Sequence, residues 1–142
     1  MRRLPPLMSE HPLGLQVLLI GVVPAVYGAI TGYFLGVSES VYLVLSVVGI
    51  VGGVAAGFDH VGVKAGALRG IAAGSIFGAS ILIAHEIHGA DAEASLPHPG
   101  ILLIVVTTVL AVVFAATGGW ARERAERKAV THSAPDIPGP LG

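Results

Sequence analysis

Apolar residues run in four long stretches along the chain, and polar residues gather between them. The stretches cover residues 13–35, 41–58, 70–87 and 101–119, and none contains Lys, Arg or Asp. Each is close to the length of about 17–25 residues with which a helix crosses a bilayer. All four are apolar on every face, without the polar stripe of period 3.6 that marks a helix of a soluble protein. The pattern predicts an all-α integral membrane protein, a bundle of four helices in two hairpins.

Composition supports this class and excludes others. Of 142 residues, 54% are hydrophobic and only 12% are charged, against about 25% charged in ordinary soluble domains. The net charge of −1 does not indicate binding to nucleic acid. The absence of cysteine excludes disulfides, thiolate metal sites and Cys nucleophiles. No catalytic triad spacing, phosphate loop or dinucleotide fingerprint is present. We therefore expect a protein that is not an enzyme and that holds no organic cofactor.

Basic residues occur on alternate sides of the four stretches. The chain has eight, namely Arg2, Arg3, Lys64, Arg69, Arg122, Arg124, Arg127 and Lys128. They precede the first stretch, separate the second from the third, or follow the fourth, whereas the loops 36–40 and 88–100 contain none. Because Lys and Arg beside a span stay in the cytoplasm, we expect both termini there and the protein in the cell membrane.

The same features divide the chain into three parts. Residues 1–12 form a cytoplasmic segment, residues 13–119 the four-helix transmembrane domain, and residues 120–142 a cytoplasmic tail. The tail begins as a basic helical extension and becomes rich in proline. In the first span, Pro24 offers no N–H to the Ile20 carbonyl, which predicts a kink.

Glycines recur at four-residue spacing in three of the stretches. They are Gly28, Gly32 and Gly36 in the first, Gly49, Gly53 and Gly57 in the second, and Gly70, Gly74 and Gly78 in the third. Small residues at this spacing let helix backbones approach closely in lipid. The stripes therefore predict tight helix packing, either among the four helices of one subunit or, for at least one stripe, between subunits.

One cluster of polar residues lies at the exterior end of the third stretch. It comprises His85, Glu86, His88 and Asp91, with His98 just before the fourth stretch. Two histidines three residues apart on a helix project about 60° from each other, so both can reach one Zn²⁺ or other divalent ion, with the remaining residues completing the ligands. The spacing is one residue short of the H-E-x-x-H motif of metalloproteases. The other interpretations are interfacial packing histidines, a proton site or a contact to a ligand.

These features favour a non-enzymatic accessory or structural membrane subunit that packs through Gly-xxx-Gly faces. Its expected partners are the lipid bilayer and either further copies of itself or other membrane subunits. A transporter usually carries a polar or charged residue on a midplane path, whereas mid-span polar residues here are only Ser and Thr. The alternative is a small homo-oligomeric transporter or channel in which the exterior cluster responds to metal or protons.

The distribution of basic residues makes the topology testable. Single cysteines at Ser9, Ser38, Ala65, Ser95 and Ser133 should react with an impermeant thiol reagent from outside intact cells only at positions 38 and 95. Labelling at position 65 in intact cells would contradict the topology.

Overall fold

The computed structural model describes residues 6–89, 91–92 and 100–133, the side chains of residues 132 and 133 excepted. Four helices there are long and apolar enough to cross a membrane. They are α1 (Leu13–Leu35), α2 (Glu39–Phe58), α3 (Val63–His88) and α4 (Ile101–Ser133). One turn of 3₁₀ helix, Met8–Glu10, precedes them. The predicted fold class, four apolar helices of membrane length and no strand, is confirmed for the described residues.

The third helix begins earlier than predicted. Gly62, at φ +91°, makes the turn out of α2, and its N–H donates to the Gly119 carbonyl at 3.0 Å. The residues that follow are mostly good helix formers, so α3 begins at Val63 rather than at residue 70. Lys64 and Arg69 therefore lie within the first two turns of α3, which corrects their placement in a loop.

The fourth helix also extends beyond its apolar stretch, to Ser133. Two ion pairs with i,i+4 spacing support this extension, Arg122 with Glu126 at 2.7 Å and Arg127 with Glu123 at 2.5 Å. The basic helical extension predicted after the fourth span is thus part of α4.

The four helices pack in a fixed spatial order. α3 makes its most extensive contacts with α4, α1 packs against α3, and α2 packs against α4. Contacts of α2 with α1 and with α3 are fewer. The pair α3 and α4 therefore forms the middle of the bundle, with α1 and α2 on its flanks.

Backbones come close where glycines lie in the packed faces. A Cβ placed on Gly70 would lie 2.5 Å from the Ala111 carbonyl oxygen of α4, and one on Gly28 would lie 2.5 Å from the Phe77 carbonyl oxygen of α3. Four more glycines of the predicted stripes face another helix's backbone or a side chain attached to it: Gly32 faces Ile81, Gly57 faces Ala115, Gly74 faces Thr108 and Gly78 faces Thr107. No larger residue fits at these positions without movement of the neighbouring helix.

Substitution of Gly74 tests this packing. Its Cβ position lies 2.7 Å from both Ala111 Cβ and Thr108 Cα, so Gly74→Leu should lower the free energy of unfolding by about 1–3 kcal/mol through overpacking. Gly52→Leu is the matched control, because nothing lies within 4 Å of its Cβ position. Thermal unfolding in detergent, followed by circular dichroism, measures both. Equal transition temperatures for Gly74→Leu and wild type would refute the packing argument.

Candidate functional site

A cavity of about 300 Å³ lies between α1 and α2, and residues of α3 and α4 form its floor. Its wall is almost entirely apolar or glycine, and Arg69 is the one charged residue among the residues that line it. The cavity exists because α1 packs on α3 and α2 packs on α4, while α1 and α2 touch little. It is therefore an apolar cavity with one cationic side chain, Arg69, among its lining residues.

The backbone of α1 is irregular beside this cavity. Residues Leu18–Val22 form a π-helical turn, in which the Val23 N–H donates to the Leu18 carbonyl, five residues back. Pro24 follows and has no N–H to donate. Neither of these two residues therefore donates to the Leu19 carbonyl within the helix. The kink predicted at Pro24 stays a prediction, and the irregularity next to Pro24 is this π turn.

Arg69 supplies a donor to that carbonyl. Its Nη2 donates to Leu19 O at 2.7 Å, which joins α3 to α1. The Arg69 residue is only 8% exposed, and its Nε and Nη1 atoms are buried without a hydrogen-bond partner. Asp59 is the acidic residue whose charge acts on it, but no described acidic residue lies within ion-pairing distance of the guanidinium. The cation is thus held by one carbonyl and is only partly compensated.

Tyr27 forms the opposite part of the wall. Its hydroxyl donates to the Leu45 carbonyl of α2 at 2.6 Å, and its ring stacks on Phe77 of α3 with a centroid distance of 5.8 Å. A Cβ on Gly49 would lie 3.1 Å from the Tyr27 ring, so the glycine leaves room for this bridge. Tyr27 thereby links α1 to α2 in the wall of the cavity.

Gly53 does not lie in a close helix contact, contrary to the expectation from its stripe. The nearest atom to its Cβ position is Phe114 Cβ, at the ordinary distance of 3.8 Å, and the residue lines the cavity. The spacing of Gly49, Gly53 and Gly57 is regular, but only Gly57 meets the backbone of α4.

Gly36, the last glycine of the first stripe, follows the end of α1 at φ −93°.

The exterior cluster is only partly described. His85 and His88 lie in the last turn of α3, Glu86 and Asp91 are exposed, and His98 is outside the described residues. His85 Nδ1 is buried without a hydrogen-bond partner, whereas the His88 ring packs edge-on against Tyr33 at 4.6 Å. Among the described residues no group of three His, Asp or Glu side chains is placed to hold a metal ion. Metal binding at this cluster stays a prediction.

The cavity and its arginine were missed by sequence reasoning, although one signal was present. Gly66 precedes Gly70 by four residues, so the glycine stripe of α3 continues toward the start of the chain. That continuation indicates a helix that begins before Gly70 and includes Arg69. The Leu19 carbonyl, which receives no hydrogen bond from Val23 or Pro24, is 50 residues away from Arg69 in the sequence. No local sequence pattern connects the two residues.

The chain matches no known protein-family model, and neither the curated proteins nor the solved structures include one that is significantly similar to it.

The sequence-derived metal site makes a calorimetric prediction. Wild-type protein should bind Zn²⁺ saturably, and the affinity should fall as the pH is lowered, because only neutral imidazole is a ligand. His85→Ala and His88→Ala should each weaken binding, and His60→Ala at the other end of the bundle is the control. Wild-type protein without saturable binding below about 100 µM Zn²⁺ would leave these histidines as interfacial residues.

Proposed function

We propose that the protein is a non-enzymatic accessory subunit of the cell membrane whose spans pack through glycine faces and which acts through its outer, membrane-embedded surface. The observation that carries the proposal is the close backbone contact along α3 and α4, at Gly70 and Gly74 in particular. At these glycines α3 and α4 are in direct contact with each other, and the cavity between α1 and α2 has an almost entirely apolar wall. An apolar interior favours a binding or assembly role over conduction.

The mid-span hydroxyls support the same conclusion. Ser46, Thr107 and Thr108 donate to the carbonyls of Tyr42, Leu103 and Ile104 in their own helices, at 2.9, 2.9 and 2.6 Å. Hydroxyls bonded in this way satisfy the local backbone and leave few polar groups for a transported ion. The apolar wall of the cavity offers no hydrated path either.

The ends of the helices support a topology with both termini in the cytoplasm. The Gly62 to Gly119 hydrogen bond brings the start of α3 beside the basic extension of α4. Arg122 lies over the Phe58 ring at 5.6 Å, so basic and aromatic residues meet at this end of the bundle. Basic residues and interfacial aromatics at one end are typical of the cytoplasmic boundary of a membrane protein.

The second candidate is a small homo-oligomeric transporter or channel that uses the exterior His/acid cluster. It is favoured by one observation, the buried and unpartnered Nδ1 of His85 near the outer end of α3. A polar atom in this state is often part of a proton or ligand path. In this candidate the path would run between subunits, because the cavity within each bundle has an almost entirely apolar wall.

Reconstitution distinguishes the two. Liposomes that contain the protein should hold a potassium gradient and a proton gradient as well as empty liposomes do, with gramicidin as the positive control. A photo-crosslinking amino acid at Val51, which is 64% exposed on α2, should yield one discrete adduct with another membrane protein in native membranes. Protein-dependent flux together with a defined homo-oligomer in light scattering would instead establish the channel.

A further inference from the structure

We infer that the cavity between α1 and α2 binds one long-chain carboxylate, an amphiphile of the fatty-acid class, with its carboxylate at Arg69 and its chain along Tyr27 and Phe77. This site is independent of the proposed accessory role. It rests on a buried cation with unused donors and on an apolar cavity next to it.

The buried and incompletely hydrogen-bonded guanidinium of Arg69 favours binding of an anion. A buried guanidinium is stable only when its charge and its donors are compensated, yet Nε and Nη1 have no partner among the described residues. The one hydrogen bond of the side chain goes to a neutral carbonyl, Leu19 O. A carboxylate matches the planar fork of guanidinium donors and supplies the missing negative charge.

The volume and the apolar wall of the cavity indicate that the remainder of the ligand is a single hydrocarbon chain. Its volume of about 300 Å³ is at the lower end of the range of roughly 300–1,000 Å³ for small-molecule sites, which suits one hydrocarbon chain rather than a lipid with two chains. Its apolar wall has no second charged group among the described residues. Because only 8% of Arg69 is exposed, a compact carboxylate fits beside it better than a bulky phosphate headgroup.

The position of Arg69 along α3 agrees with the orientation of a membrane amphiphile. It lies six residues after Val63, which is about 9 Å along the helix axis. Phe77 lies two turns further into the span and lines the same cavity. A ligand with its carboxylate at Arg69 therefore directs its chain toward the bilayer centre, parallel to the neighbouring lipids.

Binding is measured with cis-parinaric acid, a fluorescent long-chain carboxylate, on the purified full chain in a nonionic detergent. Wild type should show saturable fluorescence enhancement that palmitate reverses. Arg69→Gln should weaken binding about tenfold or more, as expected for loss of a charged hydrogen-bonding partner, and Arg69→Lys should retain part of the affinity. Arg124→Gln is the control, because Arg124 is exposed and lies over Trp120, outside the cavity.

A second variant keeps the test valid if the arginine substitutions unfold the protein. Gly53→Leu fills the cavity without a close contact, so the thermal transition should be retained while parinarate binding is lost. Gly14→Leu adds the same side chain where nothing lies within 4 Å and outside the cavity lining, and it should bind as wild type does. Normal binding by folded Gly53→Leu would overturn the proposed site.

Competition establishes the class of the ligand. Palmitate should displace the probe, whereas hexadecanol, which has the same chain without the charge, and phosphatidylglycerol should not. Displacement by hexadecanol would show that Arg69 is not the anchor, and displacement by phosphatidylglycerol would show a phospholipid site. Either result would overturn the inference of a carboxylate ligand.

Discussion

Close approach of helix backbones is the constraint on which this bundle depends. Within lipid, apolar side chains gain little by meeting one another, so helices associate through van der Waals contact and interhelical hydrogen bonds. Glycines on α3, such as Gly70 and Gly74, bring α4 close enough for that contact. The outer helices then pack on this central pair, each against a different member of it. A gap between α1 and α2 follows, because each of these helices packs mainly against a member of the central pair and only locally against the other.

The irregularity of α1 and the burial of Arg69 depend on each other. Pro24 and the π turn before it leave the Leu19 carbonyl without donors from Val23 and Pro24. A carbonyl left unpaired in hydrocarbon is costly, and Arg69 Nη2 satisfies it from α3. Without that acceptor, the guanidinium would lie in an apolar wall with no hydrogen bond at all. The pair therefore joins α1 to α3 at the level of Leu19.

The hydrophobic pattern predicted the helix bounds well wherever the apolar stretch and the helix end at the same place. The first stretch, residues 13–35, coincides with α1, and α2 begins only two residues before its predicted start at residue 41. The start of α3 was missed because hydropathy treats Lys64 and Arg69 as the end of a span, whereas the helix continues through them. Hydropathy contains no information about an acceptor such as Leu19 O that lies on another helix and makes a buried arginine tolerable.

Glycine spacing likewise predicts a local feature of a helix but not its tertiary contacts. A four-residue repeat identifies which face of a helix is smooth, but the neighbour that meets this face is determined by the packing of all the helices. Gly57 meets the Ala115 backbone, whereas Gly53, one turn earlier on the same face, borders the cavity. The difference lies in the neighbour on α4: the atom nearest the Gly53 Cβ position is the side-chain atom Phe114 Cβ at 3.8 Å, whereas Gly57 lies directly against the backbone.

Two side chains in the described part of the chain have buried polar atoms without a hydrogen-bond partner, Arg69 and His85, and they differ in what they require. An imidazole can exist neutral, so the buried Nδ1 of His85 can lack a partner without leaving a charge in the bundle. Arginine is not deprotonated in proteins, so its charge persists wherever the side chain lies. Compensation of the Arg69 charge therefore requires a negative charge nearby, of which Asp59 supplies part. The apolar cavity that Arg69 lines is the space beside this charge in which the hydrocarbon chain of the inferred carboxylate would lie.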